Sequence, residues 1–283
     1  MEKRHDGLSA ADYLRNCHGY SRRMLTRLKQ GCGSLAVNGI AIGRLTEKLS
    51  EGDCLEIFLD VEEQVFEPNY QLSVSVAYED EDVVVFNKPA GMPVHPSHRH
   101  RDDTLANVFA ARCLKKGEKA GFHAINRLDR DTSGLCVVAK HPYAADRLSG
   151  KVDKTYYAVI EGIPDFSCGT LSFPIARAGE SIILRRVDPA GKHAVTHYRM
   201  LKSGNGHSLL EIQLETGRTH QIRVHFSYIG HPLAGDDLYG GQTTYISRQA
   251  LHCGKVHFFQ PVTGRKLTVC APLPEEMEQV LHS

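Results

Sequence analysis

Four charged residues, Arg127, Asp129, Arg130 and Asp131, crowd the stretch INRLDRDTSGLCVVAK (Ile125 to Lys140), directly ahead of the unbroken apolar run Leu135 to Ala139. Such a run, bounded by Gly134 and Lys140, reads as a strand covered on both faces, which sets Asp129 near the edge of the core. A carboxylate losing water there takes up a proton unless cations or hydrogen-bond donors keep it ionised, and Arg127 and Arg130 are at hand for that. An ionised carboxylate in such a place can act as a nucleophile. A structural Asp–Arg pair that ties the turn together fits this segment equally well.

A second dense segment, ETGRTHQIRVHFSYIGHPLAGDDLYGG, runs from Glu215 to Gly241. Ahead of it Leu210, Ile212 and Leu214 alternate with charged or amide residues, the pattern of a half-buried strand that Gly217 breaks. Ile222, Phe226 and Ile229 then recur at spacings of four and three, with Gly230 behind them, which predicts a short helix over Thr219 to Ile229. Arg218, His220 and Arg223 fall at or near its beginning, where backbone donors and cations together favour a phosphate or a carboxylate.

The elements that must position these groups are an acidic-turned pair of strands in VSVAYEDEDVVVFNKP, a helix beginning near Thr104, and a strand-rich region after Lys154. In KTYYAVIEG, strand alternation sends Tyr156 and Tyr157 to opposite faces, so only one of them can line a site. The expected fold class is α+β: a large domain, residues 74–283, on a mainly antiparallel mixed sheet with Asp129 in a central cleft. The polar, acidic stretch DVEEQVFEPNYQ, Asp60 to Gln71, marks a linker, placed at residues 63–73.

Residues 1–62 read as a small N-terminal α/β domain of uneven charge. Tyr13 to Thr46 carries six basic residues and no acidic one, whereas Glu47 to Glu67 carries eight acidic residues and one Lys. Ser21 is placed to cap a helix with Met24, Leu25 and Leu28 as its apolar stripe, leaving Arg22, Arg23, Arg27 and Lys29 toward solvent for a phosphate backbone. An ordinary solvated basic helix gives the same pattern.

With 283 residues and 41% hydrophobic content, the chain can bury a substantial core. No apolar stretch follows the mixed charges of MEKRHDGLSA, so neither a secretory signal nor a membrane span is placed and a cytoplasmic location is expected. Eight cysteines without a CxxC pair argue against disulfides and zinc knuckles. His98, His100 and Asp102, with His95 nearby, follow most of the HxHxDH pattern of a binuclear metallohydrolase, but Asp103 stands where the last His belongs. No further ligands are evident, and a basic loop is the preferred reading, with no metal expected.

The two dense segments resemble the RluA-type family of pseudouridine synthases, with its boxes HRLDxxTSG and GRTHQIRVH. The resemblance extends over NKPAGMPVHPS, KTYYAVIEG and RQALHCGKVHFFQPVTG, roughly residues 74 to 275, and Asn126 stands where the family box begins with His. It implies isomerisation of uridine within RNA, without a cofactor, with Asp129 matching the family nucleophile, Arg223 the arginine that pairs with it, and Tyr156 the tyrosine of KxYxA. Arg127 matches the arginine that fills the gap left by a flipped base. The segment SRRMLTRLKQGCGSLAVNGIAIGRLTEKLSEGDCLEIF resembles the small RNA-binding domain named after a small-subunit ribosomal protein. The added basic domain tilts the RNA target toward large-subunit ribosomal RNA, with transfer RNA open and a monomer expected. An inactive RNA-binding protein is the alternative that Asn126 motivates, since Asn carries no proton near neutral pH.

Overall fold

The computed structural model describes residues 5–31, 33–58, 66–179, 181 and 183–282. The N-terminal unit comprises α1 (Ala10–His18), α2 (Arg22–Lys29) and strands β1 (Ser34–Val37), β2 (Ile40–Ile42) and β3 (Leu55–Phe58), in an antiparallel sheet of order β2-β1-β3. Ser9 and Ser21 cap the two helices by accepting from the backbone N–H of Asp12 and Met24. Met24, Leu25 and Leu28 are buried as the stripe predicts, alongside Leu14, Leu35, Leu45 and Leu49. At the β1–β2 turn Asn38 and Gly39 take φ of 52° and 77°, the pair of left-handed conformations that a two-residue hairpin demands.

The large unit is built on one ten-stranded mixed sheet. Its strands are β4 (Ser75–Glu79), β5 (Val83–Lys88), β6 (His123–Ala124), β7 (Ser133–Ala139), β8 (Asp153–Glu161), β9 (Cys168–Ser172), β12 (Val195–Gly204), β13 (His207–Leu214), β14 (Leu251–Phe259) and β15 (Lys266–Cys270). A separate two-stranded ribbon pairs β10 (Ile175–Arg177) with β11 (Arg185–Val187). The helices are α3 (Leu105–Lys116), α4 (Pro142–Leu148), α5 (Gln221–Tyr228) and α6 (Glu275–Gln279). Main order is β4-β5-β7-β14-β8-β13-β12-β9, with β15 beside β14 and β6 beside β7. Among the described residues every strand pair is antiparallel except β7 with β14, so the expected mainly antiparallel mixed sheet is present.

All seven residues of β7 are buried, as its continuous apolar run predicts. The helix expected from Thr219 starts instead at Gln221, because His220 takes a left-handed φ of 57° that a helix cannot continue. Residues 63–65 of the stretch read as a linker lie outside the described residues. Residues 66–73 lie against the large unit: Phe66 meets Phe122 edge-on, and Asn107 donates to the carbonyl of Glu67. The two units touch where Ser21 Oγ donates to Asp146 on α4 at 2.7 Å and the rings of Tyr20 and Tyr143 lie 4.7 Å apart. No helix among the described residues is long and apolar enough to cross a membrane.

Candidate active site

The turn that carries Asp129 is held from behind. Thr132 N–H donates to the Asp129 carbonyl, and the ammonium of Lys88, fully buried at the end of β5, donates to the carbonyls of Pro89, Met92 and Arg130. One lysine thus ties the Asp129 turn to the NKPAGM loop. Burial lowers the Lys88 pKa to about 8. From this turn the Asp129 side chain, 30% exposed, reaches one small cavity shared with Arg127, Tyr156, Arg218, His220 and Arg223. Six of the ten residues singled out from sequence therefore converge, brought by β7, β8 and the start of α5.

Arg223 Nη1 donates to Asp129 Oδ2 at 3.3 Å, and His220 Nε2 lies 3.8 Å from the same oxygen. Among the described residues these are the groups within ion-pairing distance of the carboxylate, His220 carrying charge only when protonated. Arg130, expected to serve Asp129, instead forms a two-pronged pair with Asp131 on the outside of the turn. Arg127 is exposed at the rim. Near the start of α5 the Asp129 carboxylate takes Arg223, and the neutral Gln221 side chain accepts from Arg218 N–H. Gln221 also donates to Val195 and Thr196 of β12, so the helix is pinned to the sheet at its first residue.

Tyr156 packs in the main core with its ring toward the cavity, while Tyr157 joins a different cluster on the opposite face, as alternation requires. Burial pushes the Tyr156 phenol well above its ordinary pKa, so it is a phenol rather than a phenolate at neutral pH. Burial also lowers His220, against the pull of Asp129. For Arg223 burial acts to lower the pKa, but hydrogen bonds and charge from Asp236 and Asp129 outweigh it and the guanidinium stays charged.

Sequence reasoning missed Asp236 and Tyr239, which complete this constellation. Asp236 accepts from Arg223 Nε and Nη2, both at 2.7 Å, and Tyr239 lies under the guanidinium with its ring centroid 4.9 Å away. The one available signal was a charged pair set among glycines in PLAGDDLYGG. Asn126 does not face the cavity. It is buried against β7, donating to the Leu135 carbonyl at 3.0 Å and accepting from Val137 N–H at 2.8 Å.

The basic residues of α2 lie elsewhere. Arg22, Arg23 and Lys29 are exposed, and Arg23 and Arg27 line a recess shared with His123, Ala124 and Ile125 of the large unit. In the His-rich loop His100 Nδ1 lies 2.6 Å from Asp103 Oδ2. No group of three or more His, Cys, Asp or Glu side chains suited to a metal ion occurs among the described residues.

The model of the family described as RNA pseudouridylate synthase matches residues 82–228, which include Asp129, Tyr156 and Arg223. The uncharacterized RNA pseudouridine synthase YjbO of Bacillus subtilis (strain 168) is 42% identical over 270 residues, covering 93% of this chain and 95% of that protein. Ribosomal large subunit pseudouridine synthase D of Vibrio cholerae is 36% identical over 276 residues, covering 90% and 85%. Among solved structures, human RNA pseudouridylate synthase domain containing 1 superposes with a TM-score of 0.60 at 27% identity over 73% of this chain and 86% of its own. Human RNA pseudouridylate synthase domain containing 4 gives 0.61 at 25% identity over 74% and 92%. Sequence, fold and relatives agree, and the chain belongs to the RNA pseudouridylate synthase family, isomerases that act on RNA.

Proposed function

We propose that this pseudouridine synthase modifies uridine in large-subunit ribosomal RNA, with Asp129 as nucleophile. The observation that carries the assignment is the Asp129 carboxylate, partly exposed and held by Arg223 within one cavity shared with Tyr156. Asp129 attacks either the sugar's anomeric carbon or uracil ring carbon six. The glycosidic bond breaks with its electron pair on the base, the uracil turns, and carbon five bonds to the sugar as the carboxylate is released. Ring carbon five then loses its proton and ring nitrogen one gains one, so no oxidant, reductant or cofactor is consumed. Tyr156 offers its ring face to the base. Its phenol, held protonated by burial, is not a preformed base for the carbon-five proton.

A paired or stacked uridine reaches this cavity only after extrusion, at an unstacking cost of a few kcal/mol. Arg127, exposed at the rim, suits the gap that extrusion leaves, since a planar guanidinium both stacks on bases and binds phosphate. Arg218 lines the cavity on one side and, on the other, a recess of about 460 Å³ with Arg177, Arg185 and Lys192, a surface fit for the neighbouring phosphates. Residues 1–62, with the basic face of α2 (Arg22, Arg23, Arg27, Lys29), supply further backbone contacts, as a domain of the small ribosomal type does. The naming of the Vibrio cholerae relative supports the large subunit as target. Cytoplasmic location, a monomeric state and metal-free turnover belong to the same reading.

The test is tritium release from uridine labelled at ring carbon five, in large-subunit RNA from cells lacking the protein. Release by the wild type and none by Asp129→Asn, with RNA binding intact in both, is the expected outcome. Turnover by Asp129→Asn removes the nucleophile assignment, and unmodified large-subunit RNA alongside modified transfer RNA moves the target.

A further inference from the structure

Where the chain passes from α1 to α2, each residue from His18 to Ser21 meets α4 of the large unit. The His18 carbonyl, left without a partner in its own helix at the C-terminus of α1, accepts from the Tyr143 hydroxyl at 3.3 Å. A Cβ at Gly19, whose φ is 66°, would meet the Arg147 guanidinium. The buried Tyr20 ring lies 4.7 Å from that of Tyr143, and Ser21 Oγ donates to Asp146 Oδ1 at 2.7 Å. Tyr143 in turn packs against the hydrophobic core of the N-terminal unit.

One hydroxyl serves both helix and interface. The Ser21 oxygen accepts from Met24 N–H and caps α2, which leaves its proton for Asp146. A change at Asp146 therefore undoes the link between the units and spares the cap. Asp146 also stands at the N-terminus of α2, where the helix dipole favours an anion. Beside it lies a recess of about 270 Å³ with Arg23 and Arg27 of α2 on one wall and Ile125 on the other. Ile125 precedes Arg127, at the rim of the cavity, by two residues, at most about 7 Å along the chain.

Units joined only by a tether sample many separations, and relative motion is their default. We propose that Tyr143, Asp146 and Arg147 of α4 form a dock that holds α2 at a fixed distance from Arg127, and that this distance selects which uridine of a bound RNA enters the cavity. The proposal rests on the reading that α2 binds the RNA backbone. RNA seated on a docked α2 offers the cavity only the uridines lying at that span, whereas an undocked unit offers many. None of the three docking residues lines the cavity, so they act on the choice of target and not on the chemistry.

The experiment maps pseudouridines at nucleotide resolution in total RNA from cells lacking the protein, treated with wild type or variant enzyme. Amide hydrogen exchange over residues 18–24 reports docking, and RNA binding is measured alongside. The double variant Tyr143→Ala with Asp146→Ala is expected to exchange faster there and to lose target selectivity by about 10-fold as other uridines are modified. Its RNA affinity is expected to stay within about fivefold of wild type, because the tether still keeps both surfaces together. Asp146→Asn, which keeps an acceptor for Ser21, is expected to retain the wild-type pattern of sites. If the double variant does not fold, Asp146→Arg, which sets a cation against the N-terminus of α2, replaces it with the same expectation. Faster exchange with an unchanged choice of uridines overturns the proposal, as does wild-type exchange in the folded variants. A merely structural role lowers modification at every site alike and shifts none, which overturns it too. Unchanged affinity on replacing Arg22, Arg23 and Lys29 by Ala removes α2 as an RNA surface and the proposal with it. Modification of transfer RNA alone by the wild type instead moves the target, and the selectivity of the variants is then read on that RNA.

Discussion

Asn126 shows what a single position in a chemical motif does. Its amide presents one acceptor to Val137 and one donor to Leu135, standing in for a peptide group of a strand beside β7, just after Ile125 N–H has bonded the Val137 carbonyl. A neutral imidazole also offers one donor and one acceptor, so this bracket needs no titrating proton. Asn126→Asp keeps the shape but replaces the donor with a buried charge, and is expected to cost about 3 kcal/mol in urea unfolding. Asn126→His is expected to keep turnover within a few-fold, checked by the same tritium assay. Asp129, Tyr156 and Arg223 were legible because each sits inside a long motif. Arg130 misled because adjacency in sequence suggested a partner, whereas the turn sends its guanidinium outward to Asp131. Asp236 and Tyr239 were illegible for the opposite reason: a tertiary turn, which no periodicity encodes, brings them under Arg223.

Among elements, those with strong local chemistry were readable. The β7 run, the β4–β5 pair around its acidic turn and the Ser21 cap of α2 all express propensities carried by a few adjacent residues. Helix α1, with only Ala10 and Leu14 buried, and the three-residue strands β10 and β11 carry too little pattern to be read. The place where β7 meets β14 depends on a glycine. Gly134 has φ of 110°, and a Cβ there would overlap the backbone of Cys253. Gly134→Ala therefore combines backbone strain with a steric clash and is expected to destabilise the protein by about 3 kcal/mol or more, measured by urea unfolding. Activity is expected to fall with it, because Leu251 of β14 lines the cavity beside Asp129.

Over the whole molecule a net charge of +1 conceals an uneven distribution. The exposed Arg22, Arg23 and Lys29 lie away from the cavity, on a unit fastened to α4 by Ser21–Asp146 and the Tyr20–Tyr143 contact. Replacing all three by Ala is expected to lower the slope of log affinity against log salt by about 2 to 3, while turnover at saturating RNA stays within twofold. Binding titrations across salt concentrations check the first, and saturation kinetics the second. The parallel pairing of β7 with β14 has a consequence for how the enzyme comes into being. It joins positions 119 residues apart, Ser133 and His252, and it is the seam between the two halves of the sheet. Asp129 arrives with the early half; Tyr156, Arg223 and Asp236 arrive with or ahead of the late one. During vectorial synthesis the carboxylate therefore waits for the late strands, and the closure of β14 on β7 brings the two parts of the cavity together. A nascent chain is thus expected to be catalytically silent until β14 has been made.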